Sequence, residues 1–264
     1  MAIKYTILGL LIYLAIAGYI LAFLLTIAGN KKTGQIIYRT GFTVAAAAFV
    51  FRWYEVGHVP FQNMFEVFLS MGALVYPLSV FCSRFLDVGD EAVDALIGAI
   101  LLFAAGFVFH CEPQMLPPAL QCRLFAPHVA VYLISYVVMT KAAVQAFCQL
   151  KAKPNEHNEH VLDYEKNTYR IICLGFPLLT LGLILGSWWG KLAWGDYWGW
   201  DPKELWSLAS WLVYVAYLHF RYMFGQKHPR INSCMVLTGF AAIVITLLWV
   251  NLSGIFAGLH NYAS

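Results

Sequence analysis

Charged residues are scarce in this chain of 264 amino acids: only 12% of the residues are charged, whereas 61% are hydrophobic. Soluble domains carry about 25% charged residues, so the composition excludes an ordinary soluble protein. The net charge of +3 comes without any basic tract, which argues against a nucleic-acid-binding protein. The chain also lacks low-complexity segments and any polar stretch long enough for a separate soluble domain. We therefore expect an integral membrane protein.

Two further absences concern processing and cysteine chemistry. No small-residue cleavage site follows the first apolar segment, which is also too long for a signal core, so we expect it to remain as a helix. The six cysteines include no C-x-x-C-H, which excludes haem attached covalently to this chain itself. Cys111 and Cys122 fall in one outer loop, where a disulfide and two free thiols are both open readings.

Eight apolar segments are each long enough to cross a hydrocarbon core of about 30 Å as a helix of about 20 residues. Short connections join them, so we predict an all-α protein with one polytopic membrane domain over residues 1–264. The predicted helices lie near residues 5–28, 36–57, 63–85, 91–109, 129–150, 169–189, 202–224 and 232–258. The polar stretch 151–168 is expected to be an inner loop.

The positions of lysine and arginine predict the orientation, because cytoplasmic loops carry the excess of these residues. One side of the predicted topology has eleven of them, the other has five, and Lys141 falls inside the fifth helix. Both termini are therefore expected on the outer side. The eleven are Lys31, Lys32, Arg39, Arg84, Lys151, Lys153, Lys166, Arg170, Arg221, Lys227 and Arg230; the five are Lys4, Arg52, Arg123, Lys191 and Lys203.

Seven of the nine tryptophans lie between Trp188 and Trp211, in the run WWGKLAWGDYWGWDPKELWSLASW. We predict an outer, tryptophan-rich loop over about residues 188–206. An aromatic belt at the membrane surface is the simpler explanation for tryptophan, but a belt is spread over many helix ends. Indole is also the best flat surface for a large planar ligand, so this concentration of rings predicts a binding site.

Two histidines are expected at the same outer surface. His128 precedes the fifth helix in LFAPHVAVYLISY, and His260 follows the eighth helix in NLSGIFAGLHNYAS. Two neutral imidazoles from separate helices, beside a wall of indoles, are a plausible pair of axial ligands for haem iron. The alternative is that each histidine merely caps its helix at the interface.

Other histidines are more ambiguous. His219 lies 17 residues after Pro202, which places it about 25 Å deeper at the rise of an α-helix, so it belongs either to a second, inner site or to the inner interface. His58, in RWYEVGHVPFQNMFE, follows Arg52 and Glu55, and a purely structural polar cluster is the alternative there.

The motif WGDYWGWDPKELWS resembles the signature of the WWD-domain haem-handling proteins of cytochrome c assembly. The continuation DPKE followed by WS, the eight predicted helices and the chain length resemble the CcsA branch, the system II cytochrome c synthase subunit. RWYEVGHVPFQNMFE, APHVAVYLISY, the YLHFR run and the terminal GLHNYA resemble that branch in the same order. The resemblance covers about residue 50 to the end.

The resemblance implies specific roles for these residues. His128 and His260 match two outward histidines that bind haem iron, with haem b as the bound substrate lying on Trp194, Trp198 and Trp200. His219 matches an inner haem ligand whose opposite ligand comes from a CcsB/ResB-type membrane partner. Asp201 is either part of the haem site or only the first turn of a helix, where the dipole favours acids. Lys203 or Arg52 is a candidate partner for a haem propionate.

The implied function is haem export and covalent attachment of haem to the C-x-x-C-H motif of apocytochrome c, on the periplasmic side of a bacterial inner membrane. The chain would then be a holocytochrome c synthase, or haem lyase, subunit that works by positioning haem, with no nucleophile of its own. Two alternatives stay open: a haem-presenting chaperone of the CcmC type, and a b-type electron-transfer cytochrome. The predicted position of His128 and His260 at the membrane edge disfavours the cytochrome.

Overall fold

The computed structural model describes residues 4–152 and 159–252 and is all-helical over them. Eight long helices lie where the sequence predicts them. Their bounds are α1 Ile7–Ile27, α2 Lys31–Val56, α3 Met64–Leu86, α4 Glu91–Phe103, α5 Phe125–Lys151, α6 Glu159–Trp194, α7 Pro202–Phe224 and α8 Pro229–Val244. A π-helical turn, Ala104–Val108, extends α4, and another, Ile245–Trp249, extends α8 before the short helix Val250–Leu252. A 3-10 turn spans Pro118–Gln121.

Six of these helices are long and apolar enough to cross a membrane: α1, α3, α4 with its π-turn, α5, α6 and α8 with its extension. The chain is therefore a multi-pass membrane protein. α2 and α7 do not reach the same hydropathy, because α2 begins with two lysines and α7 is rich in tryptophan, tyrosine and serine. Six candidate spans are thus found among the described residues, and the expectation of eight spans stays a prediction.

α6 is much longer than predicted at both ends. It begins at Glu159, within the polar stretch expected to be a loop. Its first turns are held in place by Glu165, only 1% exposed, which accepts hydrogen bonds from Arg221 and Gln226 on one carboxylate oxygen and from Asn232 on the other. The prediction of a loop over 151–168 was wrong here, because these partners lie more than fifty residues away in sequence.

The chain forms two compact units, the first ending at Leu120 and the second beginning at Gln121. The first unit contains α1 to α4, and α1 packs against both α2 and α4. The second contains α5 to α8, with the most extensive packing between α5 and α6. A single membrane domain over residues 1–264 stays a prediction.

A buried ion pair joins α2 and α3 in the first unit. The Arg52 guanidinium is fully buried and donates to Glu66 Oε1 through Nε at 3.0 Å and Nη2 at 2.9 Å. It also donates to Glu55 at 2.8 Å and to the carbonyl of Cys111 at 2.9 Å. The other Glu66 oxygen accepts from the Gln62 amide at 2.8 Å. The Arg52 guanidinium is thus bound by residues of its own unit, and its contact with a haem propionate stays a prediction.

Replacing Arg52 with alanine should destabilise the first unit strongly, because Glu66 would be left buried without its cation. Removing one partner of a buried ion pair costs about 3–5 kcal/mol. Thermal unfolding of the purified protein in detergent measures the effect. Arg39→Ala, an exposed arginine on the same helix, is the matched control, and equal melting temperatures for the two variants would contradict the prediction.

Candidate functional site

His128 lies in the first turn of α5, half-buried between aromatic rings of its own unit. Its imidazole stacks on Trp189 of α6, with ring centroids 5.7 Å apart and planes at 13°. The edge of Tyr132 closes a second side, at 5.1 Å and 84°. Trp189 is only 1% exposed, so it forms a fixed wall. The orientation of the imidazole is therefore set by packing.

A hydrogen bond determines which nitrogen of His128 carries the proton. Nδ1 lies 3.0 Å from the carbonyl oxygen of Gly182 on α6. A carbonyl only accepts, so in the neutral ring Nδ1 is protonated and Nε2 keeps its lone pair. This is the arrangement of metal-binding histidines, in which a second partner holds the nitrogen that does not bind the metal.

Glycine on α6 makes this close approach possible. A Cβ atom at Gly186 would lie 2.5 Å from Cε1 of His128, and one at Gly182 would lie 3.0 Å from the Tyr132 ring. Any larger residue would push the imidazole or the helix away. Small residues spaced four apart are a common means of close helix packing in membranes, and here they bring α6 against the histidine.

Trp189 is a site residue that the sequence reasoning missed. Of the rings predicted to carry the ligand, Trp194 makes a T-shaped contact with Trp189 at 4.6 Å, which places it one ring away from His128. Trp189 is three residues after Gly186 and seven after Gly182, the spacing of one helix face. The predicted helix 169–189 already contained that spacing, but nothing in the sequence indicated that this face of the helix would meet His128.

α6 ends at Trp194, and the next residue, Gly195, has a φ of +93°, the left-handed conformation that glycine favours. The Gly195 amide donates to the Lys191 carbonyl at 3.1 Å, and the Lys191 ammonium donates back to the Gly195 carbonyl. Trp188, Trp189 and Trp194 are consequently helical residues. Only Trp198 and Trp200 belong to the connection between α6 and α7, which is shorter than the loop expected from the sequence.

Trp198 and Trp200 form their own T-shaped pair, with centroids 6.0 Å apart. Trp200 has φ of +56°, unusual for a bulky residue, and its side chain is 66% exposed. Strained residues of this kind concentrate at binding and catalytic sites. The connection therefore holds one tryptophan in a costly conformation with its ring outward.

Trp198 faces a groove of about 450 Å³ on α6. Since an α-helix has 3.6 residues per turn, the α6 residues of this groove lie on a different face from Gly182, Gly186 and Trp189. Ring contacts thus join Trp189 to His128 and Trp194 to Trp189, whereas Trp198 contacts Trp200 and lines the groove. The groove is lined by Leu183, Ile184, Ser187, Trp188, Tyr197 and Trp198.

The DPKE motif builds the start of α7. Asp201 is the N-cap and accepts from the Lys203 amide at 2.8 Å, with Pro202 in the first helical position. Glu204 completes a capping box by accepting from the Asp201 amide at 3.1 Å, and it also accepts from the Gly199 amide at 2.8 Å. The motif thus fixes the loop that carries Trp198 and Trp200, and a haem contact by Asp201 stays a prediction.

Two predicted iron ligands remain besides His128. His260 falls outside the described residues. His219 is exposed on α7, where its Nδ1 lies 2.8 Å from the Val215 carbonyl, so Nε2 again keeps the lone pair. No group of three or more metal-ligating side chains occurs among the described residues. Cys111 and Cys122 are both free thiols.

The amino-acid sequence matches a known protein family over nearly its whole length. Residues 5–257 match the family described as Cytochrome C assembly protein. The chain is 33% identical to the cytochrome c biogenesis protein CcsA of Guillardia theta over 246 residues, covering 80% of this chain and 79% of that protein. It is 30% identical to the CcsA of Prochlorococcus marinus strain NATL1A, with 90% and 87% covered.

Two further similarities extend to longer proteins. The CcsA of Chlamydomonas reinhardtii is 32% identical over 80% of this chain, which spans 63% of that protein. Among solved structures, the cytochrome c haem lyase CcmF superposes with a TM-score of 0.69 at 19% identity, over 94% of this chain and 48% of the lyase. This second likeness concerns the fold alone. The match over nearly the whole length, together with the CcsA relatives, shows that the chain belongs to the cytochrome c assembly protein family.

Proposed function

We propose that the protein handles haem for cytochrome c maturation and serves its covalent attachment to C-x-x-C-H apocytochromes, as a haem lyase subunit. The observation that carries the proposal is the His128 ring, which is held through Nδ1 by the Gly182 carbonyl and packed on Trp189. We take Nε2, which keeps its lone pair in this tautomer, as the iron-binding atom. The half-buried ring is held as metal-binding histidines are, through the nitrogen that does not bind the metal.

The proposed topology has eight spans, with α2 and α7 included and both termini outside. Its support is the excess of lysine and arginine on one side. His128, at the start of α5, and the connection before α7 then share the outer side, which is the periplasm if the chain resides in a bacterial inner membrane. The haem b substrate would be held there, where an extracytoplasmic apocytochrome can reach it.

The outer site would take its two axial ligands from His128 and His260. Two imidazoles fix both the position and the tilt of the porphyrin, so that its vinyl edge is presented in one place. Trp194, in contact with Trp189, is the described ring best placed to extend the aromatic wall beyond His128. Trp200, exposed at the surface, would contact the outer rim of the ligand or the incoming apocytochrome.

The inner site would use His219. Its ring points away from the core of the second unit, on an exposed face of α7 that also carries Tyr222 at 91% exposure and Met223 at 71%. A haem ligated there needs an opposite ligand from outside this unit. We propose that a CcsB/ResB-type membrane subunit supplies it, and that haem passes from this inner site to the outer one.

The chemistry requires little from protein side chains. Each cysteine S–H of the apocytochrome adds across one vinyl C=C bond: the sulfur forms a C–S bond, the hydrogen goes to the neighbouring carbon, and no net oxidation occurs. Catalysis would come from holding thiol and vinyl in register, because effective molarity supplies a large part of such barriers. The apocytochrome histidine finally replaces one protein ligand, which releases the product.

Replacing His128 with alanine should abolish the outer-site haem spectrum and reduce covalent attachment to background, since an axial ligand is lost. The test is co-expression with the partner subunit and a reporter apocytochrome in cells without their own assembly system, with covalent haem and the absorbance of the purified complex as readouts. His110→Ala, an exposed histidine of the first unit, is the control. Undiminished attachment in His128→Ala would sink the outer-site proposal.

Gly186→Ala tests the positioning of the imidazole without removing it. The new methyl group would lie 2.5 Å from Cε1 of His128, so the ring must turn away. Disturbing the support of a metal ligand typically lowers affinity by about 10–100-fold, and we expect weaker haem retention of this order in a titration of the purified complex. Gly89→Ala, where a Cβ meets nothing closer than 3.4 Å, should behave as the unmodified protein.

His219→Ala should have an effect only when the partner is present. We expect loss of the inner-site haem from the purified two-subunit complex and no spectral change for this chain purified alone, because the second ligand comes from the partner. Absorbance spectra of both preparations provide the measurement. His228→Ala, another exposed histidine near the same end of α7, is the control, and an unchanged spectrum of the complex would refute the inner site.

A further inference from the structure

A second groove, distinct from the tryptophan region, runs beside the contact of α7 and α8 in the second unit. The two helices meet where Gly239 faces Tyr214: a Cβ at Gly239 would lie 2.8 Å from Tyr214 Cζ, and Tyr214 is fully buried. The groove has a volume of about 300 Å³, the lower end of the range typical of ligand pockets. It is lined by Val213, Arg230, Ile231, Cys234, Met235 and Thr238.

The walls of this groove are apolar along most of their length. Ile231, Cys234, Met235 and Thr238 recur at i, i+3, i+4 and i+7, so they form one stripe along α8. The Thr238 hydroxyl donates to the Cys234 carbonyl at 2.9 Å, which satisfies its polar group within the helix. At the rise of an α-helix, the stripe from Arg230 to Thr238 is about 12 Å long. The groove is therefore an open surface depression with an apolar stripe along α8.

Arg230 provides a positive charge at the end of the groove where α8 begins. Arg230 is exposed in the first turn of α8, which contains no acidic side chain, and Lys227 precedes it in the same connection. Arg230 forms no ion pair with any residue in the described part of the chain. Arg221 differs, since Glu165 neutralises it at 2.5 Å. The groove thus combines an apolar surface with a positive charge, that of Arg230, which no described acidic residue pairs with.

We propose that this groove binds an anionic phospholipid, with an acyl chain against the α8 stripe and the phosphate at Arg230. The charge complementarity decides between occupants: a transmembrane helix of another protein would place an apolar surface against Arg230, whereas an anionic headgroup neutralises it. Juxtamembrane cations on the cytoplasmic side commonly meet anionic lipids. The proposal rests on the orientation given under Proposed function, which puts Arg230 at the inner leaflet, but on no haem site.

The test is lipid retention by the purified chain without haem or partner, measured by native mass spectrometry from detergent with phosphatidylglycerol or phosphatidylcholine added. We expect preferential retention of phosphatidylglycerol, lowered about fivefold by Arg230→Gln, the loss expected for one cation at an anionic surface. Arg39→Gln, an exposed arginine on α2, should retain as much as the unmodified chain. Met235→Trp, which fills the groove and leaves Arg230 in place, should lose both lipids.

Labelling of Cys234 provides a second measurement, and it needs no substitution that could impair folding. Its thiol is exposed within the groove, so bound phosphatidylglycerol should slow its reaction with a lipid-soluble maleimide, whereas Cys173, exposed on α6, should react at the same rate with or without lipid. Equal retention of the two phospholipids, no effect of Arg230→Gln, or an unprotected Cys234 would each overturn the proposal. None of these results would affect the outer haem site, because the protein tested contains no haem.

Discussion

The hydrogen bond between the His128 ring and the Gly182 carbonyl exists only because α5 and α6 approach each other over glycine. Gly182 lies against the Tyr132 ring and Gly186 against the imidazole, so no side chain at these two α6 positions separates the helices. The same contact places Trp189 flat beside His128. The protonated nitrogen, the ring orientation and the aromatic wall therefore all follow from one helix–helix contact. In the proposed function, an imidazole oriented in this way by backbone and packing would already be placed to bind iron.

Few polar groups are present in this apolar chain, and most that are buried have a definite structural role. Arg52 contacts Glu55 on its own helix α2, Glu66 on α3, and the Cys111 carbonyl in the segment after α4. Glu165 joins α6 to α7, to the turn after it and to α8. Because an unpaired charge in a low-dielectric interior is costly, each pair fixes the register of its helices. Arg230 differs from these buried groups because it is exposed at the surface, where it can bind the anionic phospholipid proposed above.

Binding and presentation are divided between two parts of the second unit in the proposed mechanism. His128 and Trp189 are rigid, whereas Trp200 is held in a strained conformation by the capped start of α7. In this mechanism His128 would set the position of the iron. The exposed Trp200 ring, on the loop held by the α7 cap, would contact the incoming apocytochrome. The exposed His219 on α7 fits the same division, since an incomplete inner site makes haem transfer depend on a second subunit.

The sequence alone determined the helices and the local cap at DPKE, because apolar runs of bilayer length must satisfy their backbone hydrogen bonds within themselves and an N-cap depends only on neighbouring residues. Its motifs also indicated the family and singled out His128. Only the tertiary structure decided that Nδ1 of His128 is protonated, that Trp189 lies beside it, and that Arg52 is already engaged by Glu66. These features arise from contacts between residues distant in the chain, such as His128 and Gly182, and periodicity along one helix does not specify which face of another helix it will meet.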